Sequence, residues 1–392
     1  MADRTESAAQ ESDLKASAEL SQHFAPRLLR WFDQHGRHDL PWQHPRSPYR
    51  VWLSEIMLQQ TQVATVIPYF QRFVERFPDL PTLAAADRDQ VLALWAGLGY
   101  YSRARNLHLA AQRCVEEHQG RLPDDLDALC ALPGIGRSTA AAILSQAFNR
   151  PAAILDGNVK RLLCRLLAVE QWPGMPSVEK QLWSVAEQLM SDQRPADYTQ
   201  AIMDFGATLC RRSRPDCAAC PLQDDCLAHA QARVSELPRP RPQRQLPQRD
   251  CVVVVLQDPS KRLLLQRREG PGVWNGLWSL PEFADSAAAD DFLRQRGARP
   301  SSVTLAAIKH SFSHYHLQLE PRCARVSDRV AEAAADYAAP ARAEQAWFSP
   351  ADLATIGLPA PIRRLIVAYF DQANLEFHHE SHRVLQEAAE GS

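Results

Sequence analysis

Four cysteines lie within 17 residues of this 392-residue chain, spaced Cys210-x6-Cys217-x2-Cys220-x5-Cys226. Four thiolates this close can surround only a compact centre, and both a tetrahedral zinc ion and an iron–sulfur cluster accept four sulfur ligands. The other five of the nine cysteines are scattered among apolar residues, as is typical of small core side chains. An odd total with one tight cluster favours a metal site in a reducing compartment over a disulfide framework. The spacing therefore predicts a metal-centred fold and leaves the metal open.

The hydrophobic pattern changes twice along the chain. From about residue 25 to residue 230, apolar residues recur at spacings of three and four, which is typical of amphipathic helices. The stretch RVSELPRPRPQRQLPQRD is rich in Pro, Arg and Gln and is expected to form an extended linker. Short β-rich runs such as CVVVVLQD and HSFSHYHLQL follow, and APIRRLIVAYF has the pattern of a closing helix. The pattern predicts a mainly α N-terminal domain and a smaller α+β C-terminal domain.

These shifts in composition also set the expected domain boundaries. The first 20 residues are polar and mixed in charge, and the final stretch, EFHHESHRVLQEAAEGS, is polar and rich in histidine. Segments of this kind are commonly frayed ends. We therefore expect a disordered tail over residues 1–20, a helical domain over 21–230, a linker over 231–249, an α+β domain over 250–375 and a second tail over 376–392.

Charge and hydropathy exclude two broad classes of protein. The N-terminal residues lack the basic start and apolar core of a signal peptide, and no apolar run approaches the ~18 residues of a membrane span. The net charge of −2 shows no basic excess over the whole molecule, so any surface that binds a polyanion must be local. We expect a soluble, cytoplasmic protein with no membrane partner.

The segment CALPGIGRSTAAAIL interrupts a helical pattern with a tight turn. Pro133 fixes the entry to the turn, and Gly134 and Gly136 permit backbone angles that other residues avoid. A helix expected to begin near Ser138 would point unpaired N–H groups out of the turn, where an anion can bind. Helix–hairpin–helix elements of this form grip a DNA phosphate without reading sequence. An ordinary connection between two helices explains the turn equally well.

Two acidic residues stand in unusual positions. In YRVWLSEIMLQQTQVATV, Glu55 shares a helical face with apolar residues, and a buried carboxyl tends to keep its proton near neutral pH. In ILDGNVKRLLCRLL, Asp156 stands at the start of an amphipathic helix, where N–H groups and the helix dipole keep a carboxylate ionised. A Glu at the edge of the apolar stripe and a simple helix cap are the alternatives. Together, a protonated acid and a carboxylate form the pair that glycosidic cleavage needs.

Aromatic and basic residues alternate in WAGLGYYSRARNLH. Tyr100 and Tyr101 follow a glycine-containing turn and precede Arg103 and Arg105. An exposed aromatic ring beside arginines suits stacking between nucleic-acid bases. Two tyrosines buried in the core are the competing interpretation.

Taken in order, SEIMLQQTQV, GLGYYSRARNLH, LPGIGRSTA, LDGNVKR and the cysteine cluster resemble adenine DNA glycosylases of the MutY type. The resemblance runs over about residues 31–227 and resumes beyond the linker. It implies a helix–hairpin–helix glycosylase domain with a [4Fe–4S] cluster, followed by a Nudix-like lesion-recognition domain. It further implies a monomeric base excision repair enzyme, associated with the nucleoid in a bacterial-type cell. Such an enzyme flips adenine out of double-stranded DNA, opposite 8-oxoguanine or guanine, and hydrolyses its N-glycosidic bond.

The resemblance also implies roles for individual residues. Glu55 resembles the acid that protonates the flipped adenine, and Asp156 resembles the residue that stabilises the cationic sugar. The four cysteines would hold the cluster, and Gly134 and Gly136 would shape the hairpin on the DNA. The remaining substrate contacts that the resemblance implies are Trp42 in the wall of the adenine pocket, Gln60 and Tyr100 in the opened duplex, and Ser313 and His314 at the 8-oxoguanine.

Ser138 separates the leading hypothesis from its rivals. Endonuclease III-like relatives that also cut the strand carry a lysine here, and a serine hydroxyl cannot form the iminium that this reaction needs. This predicts a monofunctional glycosylase over a bifunctional glycosylase/lyase that acts on damaged pyrimidines. A nucleotide pyrophosphatase is disfavoured because GLWSLPEFADSAAADDFLRQRGA lacks the Glu-rich, magnesium-binding helix of Nudix hydrolases. The remaining alternative, a protein that binds the lesion without catalysis, requires that Glu55 or Asp156 is not positioned to act on the substrate.

Overall fold

The computed structural model describes most of the chain. Helices make up the N-terminal part and a β-sheet dominates the C-terminal part, as the hydrophobic pattern predicted. In the portion that is described, no helix is long and apolar enough to cross a membrane. The described residues are 16–242, 245–270, 272–326 and 344–373.

Two compact units divide the chain, and the division does not follow the order of the sequence. The first unit consists of Met1–Ala85 and Asn106–Gln243, and the second consists of Ala86–Arg105 and Arg244–Ser392. The structure thus differs from the predicted helical domain over residues 21–230, because residues 86–105 belong to the second unit. Periodicity reports that a segment is helical and says nothing about which neighbour covers its apolar face.

Helices account for nearly all regular structure before the linker. The first begins at Ala18 because the Ser17 hydroxyl accepts a hydrogen bond from the Leu20 N–H, so the last three residues of the predicted tail over 1–20 are helical. Residues 1–15 of that tail and the predicted tail over 376–392 lie outside the described residues. A short π-helical segment, Phe205–Leu209, leads into the first clustered cysteine. The helices are α1 Ala18–His35, α2 Pro48–Leu58, α3 Val63–Arg76, α4 Leu80–Ala85, α5 Arg88–Leu94, α6 Ser102–Glu117, α7 Leu126–Ala131, α8 Arg137–Phe148, α9 Gly157–Leu166, α10 Pro176–Leu189, α11 Pro195–Asp204 and α12 Leu227–Ala230.

Packing between helices fixes the core of the first unit. α1 packs on α10 and α11, and the edge of the Trp31 ring meets the Phe205 ring at 5.0 Å. α2 packs along α8, and α8 also contacts α7 and α11. The start of α9, the hairpin before α8 and the middle of α2 are therefore parts of one packed body.

A mixed sheet forms the centre of the second unit. Strand order is β3-β2-β1-β7-β5, with β4 paired to β1, β6 to β7 and β8 to β2, and only β1 and β7 run parallel among the described pairs. The apolar run in β1 is buried, as expected of a central strand. The strands are β1 Gln248–Gln257, β2 Leu263–Arg267, β3 Trp278–Ser279, β4 Glu282–Phe283, β5 Arg299–Pro300, β6 Ile308–Ser311, β7 His316–Arg325 and β8 Gln345–Phe348.

Two helices accompany the sheet. α13 spans Ser286–Gln295 and follows β4, and α14 covers residues 360–373, where the closing helix was predicted. The acids of α13, Asp290 and Asp291, are exposed, and Asp291 is paired with Arg294 one turn away. β1 begins at Gln248, two residues before the predicted linker over 231–249 ends. The α+β class predicted for this part of the chain is confirmed.

Candidate active site

Glu55 lies partly buried on the mainly apolar helix α2. Its chain neighbours Ser54 and Ile56 are buried, and helix α8 packs alongside. From α8, the side-chain amide of Gln146 donates a hydrogen bond to Glu55 Oε1 over 3.1 Å. Burial, together with the charge of Asp156, raises the pKa of Glu55 to about 7, although the Gln146 hydrogen bond lowers it. The carboxyl group therefore holds its proton over much of the range up to neutral pH.

Asp156 caps the N-terminus of α9. Its Oδ1 accepts hydrogen bonds from the N–H groups of Asn158 and Val159 at 3.0 and 2.8 Å, and its Oδ2 accepts one from the Asn158 side-chain amide at 3.2 Å. Burial raises the pKa of Asp156 above its ordinary value, whereas these donors and the charge of Arg161 oppose the rise. The N-cap position follows the sequence prediction, and the extent of burial is an additional finding.

The two acids belong to one electrostatic system. The negative charge of Asp156 raises the pKa of Glu55, and the N–H donors at the start of α9 favour the ionised form of Asp156. A protonated carboxyl can deliver a proton to a leaving group, and a nearby carboxylate can stabilise the positive charge that then develops on a sugar. This pair has the properties required to break a glycosidic bond.

Ser138, the second residue of α8, supports the second acid. Its hydroxyl oxygen accepts a hydrogen bond from the Leu155 N–H over 3.1 Å. Leu155 immediately precedes Asp156, and its side chain is buried. The hydroxyl therefore fixes the backbone that carries Asp156. The sequence analysis treated Ser138 only as the replacement of a lysine and missed this contact.

The hairpin between α7 and α8 depends on its glycines. Gly134 has φ +79°, and a Cβ there would lie 2.8 Å from the Asn106 Cβ, so no larger residue fits. Gly136 is the N-cap of α8, and no side chain caps the first turn of that helix. Its N–H groups therefore point out of the helix end, as expected for a hairpin that grips a phosphate.

Gln60 and Tyr100 share a strained backbone conformation. Their φ values are +58° and +49°, in the left-handed region that residues other than glycine seldom occupy. Gln60 is exposed, and 54% of Tyr100 is accessible to solvent. The Arg103 guanidinium lies 5.4 Å from the centre of the Tyr100 ring, whereas Tyr101 is buried. The interpretation as a buried core residue therefore holds for Tyr101, and stacking by the exposed Tyr100 stays a prediction. Backbone strain of this kind is typical of functional loops.

Trp42 and the predicted lesion readers lie in contrasting environments. Trp42 is buried in the first unit with its ring 5.4 Å from the Phe70 ring, and its place in an adenine pocket stays a prediction. Ser313 and His314 are exposed at the bend between β6 and β7. Tyr315 closes this bend by accepting a hydrogen bond from the Phe312 N–H at 2.9 Å. The bend therefore presents two polar side chains on a rigid base.

The four clustered cysteines line one cavity. Cys210, Cys217, Cys220 and Cys226 surround it together with apolar residues. None of the described His, Cys, Asp and Glu side chains forms a group of three or more that could hold a metal ion as they stand. The donor set nevertheless suits a thiolate-bound centre, because buried Arg165 donates to the Cys210 Sγ at 3.4 Å and to the Arg211 carbonyl at 2.7 Å. A guanidinium stabilises negative charge on sulfur.

The chain is similar to known proteins over most of its length. Residues 53–188 match the family model "HhH-GPD superfamily base excision DNA repair protein", and residues 252–368 match "NUDIX domain". The adenine DNA glycosylase of Buchnera aphidicola subsp. Acyrthosiphon pisum (strain APS) is 34% identical over 347 residues, covering 88% of this chain and 96% of its own. The chain belongs to the adenine DNA glycosylase family. The human adenine DNA glycosylase is 35% identical over 357 residues, covering 75% of this chain and 65% of its own. A solved thermostable thymine-DNA glycosylase is 26% identical, with TM-score 0.48, covering 54% of this chain and 98% of its own.

Within this member of the adenine DNA glycosylase family, Gln146 is a site residue that the sequence analysis missed. Gln146 is buried on α8, 91 positions from Glu55, and only the packing of α2 on α8 brings the two side chains together. A polar residue in the alanine-rich run of α8 was the available signal. Its amide stabilises the ionised form of Glu55 and thereby lowers the pKa of that acid.

This contact predicts the pH dependence of the reaction. The acid must be protonated to act, so the single-turnover rate should fall as the pH rises through the Glu55 pKa of about 7. Gln146→Leu removes the donor, raises the Glu55 pKa and should move this fall to higher pH by about one unit. Rate profiles between pH 5.5 and 9 measure the shift, with exposed Gln90→Leu as the control. A profile unchanged by Gln146→Leu contradicts the assigned contact.

Proposed function

We propose that the chain is a monofunctional adenine DNA glycosylase that hydrolyses the N-glycosidic bond of adenine opposite 8-oxoguanine or guanine in double-stranded DNA. The observation that carries the proposal is the pairing of Glu55, whose pKa is about 7, with Asp156, which accepts hydrogen bonds from the N–H groups at the start of α9. The family to which the chain belongs supports the choice of adenine.

In this proposal the two acids have separate roles. The adenine first leaves the base stack, which costs a few kcal/mol and least at a mispair. The Glu55 carboxyl then donates its proton to the departing base, and the Asp156 carboxylate, held by α9 N–H donors, stabilises the oxocarbenium-like sugar. Water completes the hydrolysis and the strand stays intact, because Ser138 supplies no amine to attack the sugar carbon.

We assign DNA recognition to the hairpin before α8 and to two loops with strained backbones. The hairpin with Gly134 and Gly136 would hold a backbone phosphate at the start of α8. Gln60 and Tyr100 would enter the opened duplex, where an aromatic ring replaces part of the lost stacking. Their exposed side chains and strained backbones support this assignment.

The decisive assay uses a labelled duplex with one A:8-oxoguanine pair. Purified protein should release adenine and leave a site that breaks only after alkali. A control duplex of the same sequence with T opposite 8-oxoguanine should stay intact. Release of damaged pyrimidines, or breakage without alkali, would instead support the endonuclease III-like alternative.

We propose that the four cysteines bind a [4Fe–4S] cluster, which would brace the loop between α11 and α12. Protein purified without oxygen should be brown and contain about four iron and four sulfide per chain. Cys220→Ser should lose most of this iron, whereas Cys130→Ser, an exposed cysteine outside the cavity, should keep it. Zinc without iron in the anaerobic protein would overturn the assignment.

The bend between β6 and β7 is the proposed reader of the base opposite adenine. Ser313→Ala combined with His314→Ala should reduce the preference for 8-oxoguanine over guanine about thirtyfold or more, because two polar contacts are lost and each good one contributes roughly 1–3 kcal/mol of discrimination. Ser311→Ala, at the end of the same hairpin, is the control. The comparison needs single-turnover rates on both duplexes, and an unchanged ratio would place the reader elsewhere.

A further inference from the structure

The loop that carries Tyr100 belongs structurally to the C-terminal part of the chain. Residues 86–105, which contain α5 and the loop, form one compact unit with residues after 244. The Nudix-like sheet and the bend with Ser313 and His314 lie in the same unit. The residue assigned to duplex insertion and the residues assigned to lesion reading are therefore on a single body.

An ion pair joins the two sequence segments of this unit. Arg267 at the end of β2 donates two parallel hydrogen bonds, both 2.8 Å, to the carboxylate oxygens of Asp89 on α5. The Arg267 side chain is only 12% exposed, and its guanidinium lies 4.4 Å from the centre of the Trp278 ring. Burial alone would raise the pKa of Asp89, but the contacts with Arg267 hold it below its ordinary value. Two parallel hydrogen bonds and partial burial hold this ion pair in one geometry, whereas an exposed surface pair contributes little.

Three further contacts join the same two segments of the chain. Tyr101 donates its hydroxyl hydrogen to the Leu358 carbonyl at 3.0 Å, and Arg105 donates to the Asn275 carbonyl at 2.7 Å. Leu92 packs so closely that a Cβ added at Gly357 would lie 3.0 Å from the Leu92 Cβ. The segment is therefore fixed before and after Tyr100.

Hydrogen bonds within the loop restrain the backbone next to Tyr100. Arg103 donates hydrogen bonds to the carbonyl groups of Leu98 and Gly99, at 3.2 and 3.1 Å. Gly99 has φ +77° and is followed by the left-handed Tyr100. A loop with two successive positive φ values keeps its shape only when its surroundings restrain it.

We propose that Asp89 and Arg267 are positioning residues that fix the Tyr100 loop to the lesion-reading unit, so that insertion and reading occur in one register. This inference rests on the proposed function for the role of Tyr100. The pair touches no substrate and acts only through the loop.

Asp89→Asn tests the proposal with two matched controls. Glu344→Gln removes the other carboxylate partner of Arg267, at 2.7 Å, and leaves Asp89 in place. Arg262→Gln breaks a different Arg–Asp pair of the same unit, also at 2.7 Å. The probe is a duplex with 2′-fluoro-2′-deoxyadenosine opposite 8-oxoguanine, in which the fluorine slows bond cleavage.

Asp89→Asn should weaken binding of this probe about tenfold, with the single-turnover rate at saturating enzyme changed less than twofold. In a Tyr100→Ala background the same substitution should have no further effect, because the loop no longer carries the inserted ring. Both controls should bind as the wild type does. If either control weakened binding of the probe as much as Asp89→Asn does, the cause would be general destabilisation and the proposal would be wrong. The proposal would also be wrong if Asp89→Asn weakened binding by the same factor in the Tyr100→Ala background as in the wild type.

Hydrogen exchange of the free protein separates this inference from the proposed function. Asp89→Asn and Arg267→Gln should both speed amide exchange over residues 94–101, and Glu344→Gln should leave it unchanged. Unchanged exchange in Asp89→Asn would refute the positioning pair whatever the protein does to DNA. If wild-type protein released no adenine while the exchange pattern held, only the function would fail.

Discussion

Glu55→Gln should lower the single-turnover rate of adenine release at least a thousandfold and leave binding to an A:8-oxoguanine duplex within threefold of wild type. The amide fills the same space and can still pair with Gln146, but it has no acidic proton for the departing base. General acid catalysis commonly contributes 10²–10⁴ in rate, and burial beside Asp156 places Glu55 toward the upper end.

The control for this variant is Glu75→Gln, an exposed acid on α3 of the same unit. It should excise adenine as the wild type does. Binding is measured separately, with a duplex that resists cleavage, so that a lost proton donor is distinguished from a lost binding site. If Glu55→Gln retained a rate within tenfold of wild type, about 1.4 kcal/mol of barrier, another group would be the acid.

Ser138→Lys should acquire strand cleavage and an adduct with DNA that borohydride traps. The new amine would stand at the start of α8 and could attack the sugar carbon to form a Schiff base. The variant also loses the hydrogen bond from the Leu155 N–H, so adenine release should slow and the free energy of unfolding should fall by about 1 kcal/mol.

Ser138→Ala separates these two effects, because it removes the same hydrogen bond and adds no amine. It should share the loss of stability and form no adduct. Lys160, four residues after Asp156, is held by Glu179 at 2.5 Å, so trapping by the wild type should stay weak. Strong strand cleavage by the wild type that survived in Ser138→Ala would show that the protein is a lyase.

Features that lie within one continuous stretch could be predicted from the sequence. The cap formed by Asp156, the hairpin around Gly134 and the change from helices to strands each depend on residues a few positions apart. Local backbone preference and hydrophobic period report such features directly. The α+β C-terminal part was predictable for the same reason.

Contacts between distant stretches could not be predicted in the same way. Gln146 reaches Glu55 across 91 positions, and Arg267 reaches Asp89 across 178. A helical pattern shows which face of α5 is apolar without indicating that Leu92 on that helix packs against Gly357, 265 positions later. The burial that raises the pKa of Asp156 likewise arises from the packed unit, whereas the sequence shows only the cap.

The discontinuous second unit has a consequence for how the chain is made. Ribosomes add about 5–20 residues per second, so about 10–40 s pass between the synthesis of Asp89 and that of its partner Arg267, 178 positions later. The interval between the synthesis of Leu92 and that of Gly357, against which it packs, is longer still. Throughout this interval α5 lacks the partners of Asp89 and Leu92 that the folded unit provides. The stretch from residue 86 to residue 105 is therefore where a holding chaperone would be needed during synthesis.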